Sequence, residues 1–132
     1  MPRAVQLNLE LENGIGTLSR LCRDLANGGV NLLALSAPET RSRLGPVRLL
    51  VGNRELAEHV VSKAGYTYTV EEVVFVELKN RPGALAKAVE KLARAKIDVR
   101  YAYATAHTKA QKTAAVIAVR EQNVPKAVAL LG

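Results

Sequence analysis

Tryptophan is missing from this sequence, phenylalanine occurs once and tyrosine four times, so any function that needs a broad aromatic surface has little to work with. A single cysteine, Cys22, excludes an intrachain disulfide framework. Long apolar runs are absent too: the longest uninterrupted ones are a few residues, far below the ~20 needed to cross a bilayer, and "MPRAVQLNLE" lacks the apolar stretch of a signal peptide. No membrane role and a cytoplasmic location are therefore expected. What is present is 48% hydrophobic content over 132 residues, enough for one ordinary domain or two very small ones. The charge is basic, 19 Lys and Arg against 12 Asp and Glu, giving +7. These charges are scattered rather than blocked, which reads as a solvated surface before it reads as a nucleic-acid footprint.

The organising feature is internal repetition. Shifted by 67 residues without gaps, Glu10, Leu11, Asn13, Gly16, Leu18, Leu25 and Ala26 fall on Glu77, Leu78, Asn80, Gly83, Leu85, Leu92 and Ala93. The shared positions are a turn and one face of a helix, where two copies of one fold are held most alike. In the first repeat Val5, Leu7, Leu9 and Leu11 alternate with polar residues as in a half-buried strand, and Leu18, Leu21, Cys22 and Leu25 follow helical spacing up to Gly28-Gly29. Strands over 30–37 and 47–51, a helix over 55–64 and a strand over 66–70 complete a βαββαβ order. The second repeat gives strand 73–78, helix 84–95, strands 97–106 and 113–119 and a short helix 124–131, without a counterpart of the final strand.

This pattern predicts an α+β protein of two tandem ferredoxin-like βαββαβ units, residues 1–70 and 71–132, each an antiparallel sheet with its helices on one face, the second unit lacking its last strand. Alternation places Val73, Phe75, Ala115 and Ile117, with Leu33, Leu35 and Leu50, on the sheet face away from the helices. That face would be too apolar to leave wet, and "VVFVEL" (73–78) would have a free edge. Both points predict a homodimer.

Both first helices start abruptly. Asn13-Gly14-Ile15-Gly16 and Asn80-Arg81-Pro82-Gly83 lead into helices with no Ser, Thr or Asp cap close by, which leaves N–H groups free at the positive end of a helix dipole. Such a start suits a carboxylate or phosphate, although Asn and Gly also fill ordinary turns. At these residues a family resemblance emerges. "ELKNRPGALAKAVEKLARAKIDVRYAYA" resembles the opening half of an ACT domain: a strand, an Asn-x-Pro-Gly-type turn, an amphipathic helix and a second strand. "ELENGIGTLSRLCRDLANGGVNLLALS" is similar to a more diverged copy.

The resemblance implies a small amino acid as ligand, held near the first strand-to-helix turn and the start of the second strand, between two ACT units. Carried over residue by residue, it implies contacts at Asn13, Gly16, Leu18 and Asn31 in the first repeat and at Asn80, Arg81, Pro82, Gly83, Ala84, Leu85 and Asp98 in the second. Backbone N–H groups would take the ligand carboxylate, and Asn oxygens and the Asp98 carboxylate its ammonium. Leu11 and Leu78 stand where a serine-binding relative carries a His, so serine is not implied. Ile15 replaces the turn Pro in the first repeat.

The remaining polar residues point to no chemistry. Cys22 occupies the place of Val89 on the helix core face and reads as a small buried hydrophobe. His59 and His107 are unrelated in spacing, so no metal is expected. Asp24 and Glu90 read as solvent-facing charges, and "HTKAQK" (107–112) as a solvated hairpin; Tyr101 and Tyr103 share parity with the apolar Ile97 and Val99 and read as core, while the resemblance to tandem ACT proteins leaves a ligand-lining role open for them. The sequence thus predicts a non-enzymatic sensor without cofactor, passing ligand occupancy to a regulated protein partner. Two rivals are a purely structural association module and an RNA-binding domain of the RRM type. The latter stacks bases on aromatics of its two central strands, and here only Phe75 is available on that face.

Overall fold

The computed structural model describes residues 3–132. Contacts divide them into two compact units: Val5–Glu71, and Glu72–Gly132 with Arg3 and Ala4. The first contains β1 (Arg3–Glu12) from Val5 onward, α1 (Thr17–Asn27), β2 (Leu32–Ser36), β3 (Leu44–Val51) and α2 (Arg54–Lys63). The second contains α3 (Ala84–Arg94), β5 (Val99–Thr105), β6 (Lys112–Val119) and α4 (Val124–Leu131). The remaining strand, β4 (Tyr68–Lys79), contributes residues 68–71 to the first unit and 72–79 to the second.

β4 corrects the sequence reading, which had separate strands at 66–70 and 73–78. Val70, Glu71 and Glu72 carry no Gly, Pro or Asn to break the chain, so extended backbone simply continues. In the first unit the strand order is β2-β3-β1-β4, the ferredoxin-like order. In the second it is β5-β6-β4 with the start of β1 beside β4, where Arg3 Nε lies 3.5 Å from Glu72 Oε2. Among the described residues no strand follows α4, and β4 lies between β6 and β1 in the strand order, β1 reaching it from Arg3 onward.

Each unit buries its own core between sheet and helices. In the first, Leu7 and Leu9 of β1 and Leu49 of β3 meet Leu21 and Leu25 of α1 and Ala57 and Val61 of α2. In the second, Val74, Val76, Ala115, Ile117 and Val119 meet Leu92, Val124 and Ala127. Both long helices end alike: Val30 N–H donates to Leu25 C=O and Ile97 N–H to Leu92 C=O, each at 2.9 Å.

The helix-free face differs from the expectation because each second strand carries a β-bulge and because the β4–β6 register sets Ala115 and Ile117 opposite Val76 and Val74 rather than beside Val73 and Phe75. In β5 the register runs Val99↔Val119 and then Tyr101↔Ala118, so Arg100 is the extra residue; in β2 it runs Leu32↔Val51 and then Ala34↔Leu50, so Leu33 is extra. One inserted residue sends everything after it to the opposite face. Leu35 therefore packs in the first core, and Tyr101 and Tyr103 leave the core side for the helix-free face. Ala115 and Ile117 belong to the second core, and Val116, paired with both Phe75 and Tyr103, faces outward in their place. In the first unit the same face carries the buried Leu50, as expected, among polar residues: Gln6 Nε2 donates to Asn8 Oδ1 at 2.7 Å and Asn8 Nδ2 to Glu71 Oε1 at 2.8 Å. No helix among the described residues is long and apolar enough to cross a membrane.

Candidate functional site

α2 shows how this chain closes a helix start when it does so conventionally. Asn53 caps it, its side chain accepting the Leu56 N–H at 3.1 Å, with Glu55 in the first turn. α1 and α3 do neither. Their N-cap positions are Gly16 (φ 87°) and Gly83 (φ 88°), without a side-chain cap or an acidic residue in the first turn. This left-handed geometry explains the glycines, since an L side chain there costs about 1–2 kcal/mol. A Cβ at either position would meet nothing within 4 Å, so the space over both turns is open. Thr17 N–H donates to Gly14 C=O at 3.5 Å and Ala84 N–H to Arg81 C=O at 3.3 Å, and the next donors that close onto the turns are Arg20 N–H to Gly16 C=O and Lys87 N–H to Gly83 C=O, each at 2.9 Å. Among the described residues, Leu18, Ser19, Leu85 and Ala86 have no backbone acceptor for their N–H groups. Leu18 and Leu85 are 38% and 43% exposed beside them.

The turn asparagines hold the site's frame. Asn13 Nδ2 donates to Thr40 C=O at 3.0 Å, and its backbone N–H to Arg43 C=O at 2.8 Å. Asn80 Nδ2 donates to His107 C=O at 3.1 Å and Ala110 C=O at 2.8 Å, and its N–H to Gln111 C=O at 2.9 Å. Each Asn thus ties its turn to the loop joining the next two strands. The 107–112 segment, read as a simple solvated hairpin, supplies carbonyls to this brace.

Two hollows adjoin the turns. The second unit has a shallow one of about 230 Å³ lined by Leu78, Asn80, Arg81, Ala84, Leu85, Ala104, Thr105 and Thr113, which brings together four of the sequence-derived positions. The first unit has a larger open groove of about 630 Å³, within the span of small-molecule sites. Its walls are Glu10, Leu11 and Glu12 of β1, Thr17 and Arg20 of α1, Arg43 and Leu44, and the segment Ala64 to Thr67 with Thr69. Pro82, like Gly83, belongs to the exposed turn itself. Asn31 and Asp98 lie elsewhere. They precede the second strand of each unit, a full helix away from the turn, and eleven helical residues span roughly 16 Å. Asn31 C=O accepts the Gly52 N–H, and the exposed Asp98 carboxylate lies 3.9 Å from Arg120.

Glu10, Arg20, Arg43 and Tyr66 were not singled out from the sequence, because Tyr66 read as part of a strand and the others as surface charges. Tyr66 precedes β4 and its hydroxyl donates to Asp24 Oδ2 at 2.8 Å. Burial, and then that hydrogen bond, push its phenol up to about 12, with the nearby Arg20 pulling the other way. Asp24 is accordingly half-buried and engaged, not a free surface charge. Cys22 is half-buried, less enclosed than expected of a core residue. Among the described residues no His, Cys, Asp and Glu group could hold a metal.

The family model of the ACT domain pair matches residues 3–130. Among solved structures, protein BT0572 from Bacteroides thetaiotaomicron is 28% identical, with 98% of this chain and 87% of that one covered and a TM-score of 0.86. The regulatory subunit of aspartate kinase from Thermus thermophilus, in ligand-free form, is 13% identical over 98% and 90% of the two chains, with a TM-score of 0.67. The corresponding subunit from Thermus flavus is 13% identical over 99% and 95%, with a TM-score of 0.59. These last two share the fold. No curated protein matches the sequence significantly.

Proposed function

The chain belongs to the ACT domain pair family, and from that premise we propose that it is a non-enzymatic regulatory protein that binds a small amino acid at its strand-to-helix turns and passes that occupancy to another protein. The observation that carries this reading is the pair of uncapped helix starts at Gly16 and Gly83, each open above the glycine and each flanked by a hollow. Oriented N–H groups at the positive end of a helix suit a ligand carboxylate, and α2 shows that the same chain caps a helix where no opening is needed. Structures sharing the fold include regulatory subunits of aspartate kinase, whose name is in keeping with a regulatory role.

The proposal extends to assembly. On the helix-free face of the second unit, Phe75, Tyr101 and Tyr103 are half-buried around the buried Val73, Val116 and Ala118, a surface suited to a second copy of the chain. RNA binding gains little from the two tyrosines. They lie on β5, at the end of the strand order, while β6 beside it presents Val116 and Ala118 where a base-stacking domain carries aromatics.

A thermal-shift screen against the common amino acids at millimolar concentration tests the reading. At least one should raise the melting temperature in a saturable way, and a flat response to all of them would overturn it.

A further inference from the structure

We infer that the exposed face of α3 is the surface through which this chain engages its protein partner, and that the partner meets it with an acidic segment. This rests on the partner half of the reading above and gives that partner its chemistry.

The charge is shared unevenly between the two units. Residues 5–71 carry seven Lys and Arg against seven Asp and Glu, whereas the second unit carries twelve against five, which is the whole of the +7. Three of those twelve are matched: Arg3 with Glu72, Lys112 with Glu77 and Arg120 with Asp98. Lys87, Lys91 and Arg94 of α3 are exposed and make no hydrogen bond or ion pair among the described residues. Their spacing, i, i+4 and i+7, sets them on one ridge about 10 Å long.

The first repeat shows that the fold does not require this ridge. The same positions of α1 hold Arg20, Asp24 and Asn27, and Asp24 is met by the Tyr66 hydroxyl at 2.8 Å. Helix stability accounts for only part of the ridge. Lys91 and Arg94 suit the negative end of the dipole, but Lys87 closes the first turn, near the positive end, where a cation is unfavourable. Lys87 and Lys91, four apart, also repel one another. Carboxylates laid along the ridge would relieve both costs.

The face suits a polypeptide better than a nucleic acid. Glu90 stands exposed between Lys87 and Arg94, where it would repel a phosphate backbone, and α3 carries no aromatic side chain on which a base could stack. Ala86 and Ala93, also exposed, let another chain lie close beside the ridge. Because α3 starts at the Gly83 turn, a partner held along it rests on the helix whose start the amino-acid reading uses.

The test is fluorescence anisotropy of a labelled peptide of about fifteen residues, built of glutamate and alanine, titrated with the whole chain at low and at physiological salt, with a labelled oligodeoxythymidine of similar length alongside. The peptide should bind, and less tightly as salt rises. Lys87→Gln, Lys91→Gln and Arg94→Gln combined should weaken it about tenfold or more. Arg23→Gln, Arg41→Gln and Lys63→Gln combined, an equal change of charge on exposed residues of the first unit, should leave it within about twofold. In amide NMR spectra the peptide should shift residues 86–94 rather than 19–27. No binding, an equal loss from the two triple variants, or shifts confined to residues outside α3 would overturn the inference. Tighter binding of the oligodeoxythymidine would overturn the class of partner. Peptide binding without a response to any amino acid would keep this inference and remove the amino-acid reading, and an amino-acid response without peptide binding would do the reverse.

Discussion

The hydroxyl of Tyr66 donates to the Asp24 carboxylate at 2.8 Å, fastening the segment that precedes β4 to the flank of α1. The bond adds to the packing of Tyr66 against the first core in holding one wall of the first-unit groove. The bond makes the wall sensitive to alkali. A phenol raised to about 12 from 10.0 contributes stability that is intact below pH 10 and is lost as the pH rises through 12. Tyr66→Phe cannot ionise, so its denaturation midpoint should fall less over that interval, while at pH 7 it should be less stable by about 1 kcal/mol. Tyr68, raised by its hydrogen bond to Glu58, acts in the same direction, so the profile should flatten without becoming level. Identical alkaline profiles for the two proteins would contradict this.

The two repeats solve one packing problem differently. A methyl built on Gly28 would lie 2.4 Å from Cγ2 of Val60, whereas the equivalent positions of the second repeat are Ala95 and Ala127. Gly28→Ala should therefore cost about 1–3 kcal/mol through overpacking. Gly28→Ala with Val60→Ala should cost less than the two single changes added together, because it reproduces the second repeat's pairing. Strict additivity in urea denaturation would contradict this.

The turn brace is stronger in the second unit. Asn80 makes two side-chain bonds to the opposite loop and Asn13 one. Asn80→Ala should lose about 1–2 kcal/mol and Asn13→Ala about 0.5–1 kcal/mol. Equal losses would show that the second bond adds nothing.

Much of this architecture was legible in the sequence. The Gly16 and Gly83 turns, the helices behind them and the absence of caps follow from residues whose local preferences agree with their surroundings. The missed features are non-local. Nothing at Leu33 or Arg100 marks a bulge, because the extra residue is defined by the neighbouring strand's register, and yet it decides which face Leu35, Tyr101 and Tyr103 occupy. The join of 66–70 to 73–78 was readable in the want of a turn residue, but the repeat boundary drew attention to a seam there. The groove was hidden for another reason: its lining joins β1 and α1 to the segment before β4, more than 40 positions further along the chain, and each charged member looks like ordinary surface.

The proposed assembly can be tested on the corrected face. Phe75→Lys would set a charge beside Val116 and Tyr103, and in sedimentation it should shift a dimer toward monomer or aggregate. An unmodified chain that sediments as a monomer at tens of micromolar, with and without amino acid, would contradict the proposed pairing.

The central claim is amino-acid binding without chemistry, and the most direct measurement is calorimetric titration of the unmodified chain with each common amino acid, followed by recovery of the ligand. The account predicts a saturable heat for at least one of them, at one molecule per chain, with the amino acid recovered unchanged. At ~100 times the dissociation constant, that ligand should add about 2.7 kcal/mol to the unfolding free energy. No heat with any amino acid at millimolar concentration, or consumption of the ligand, would contradict it.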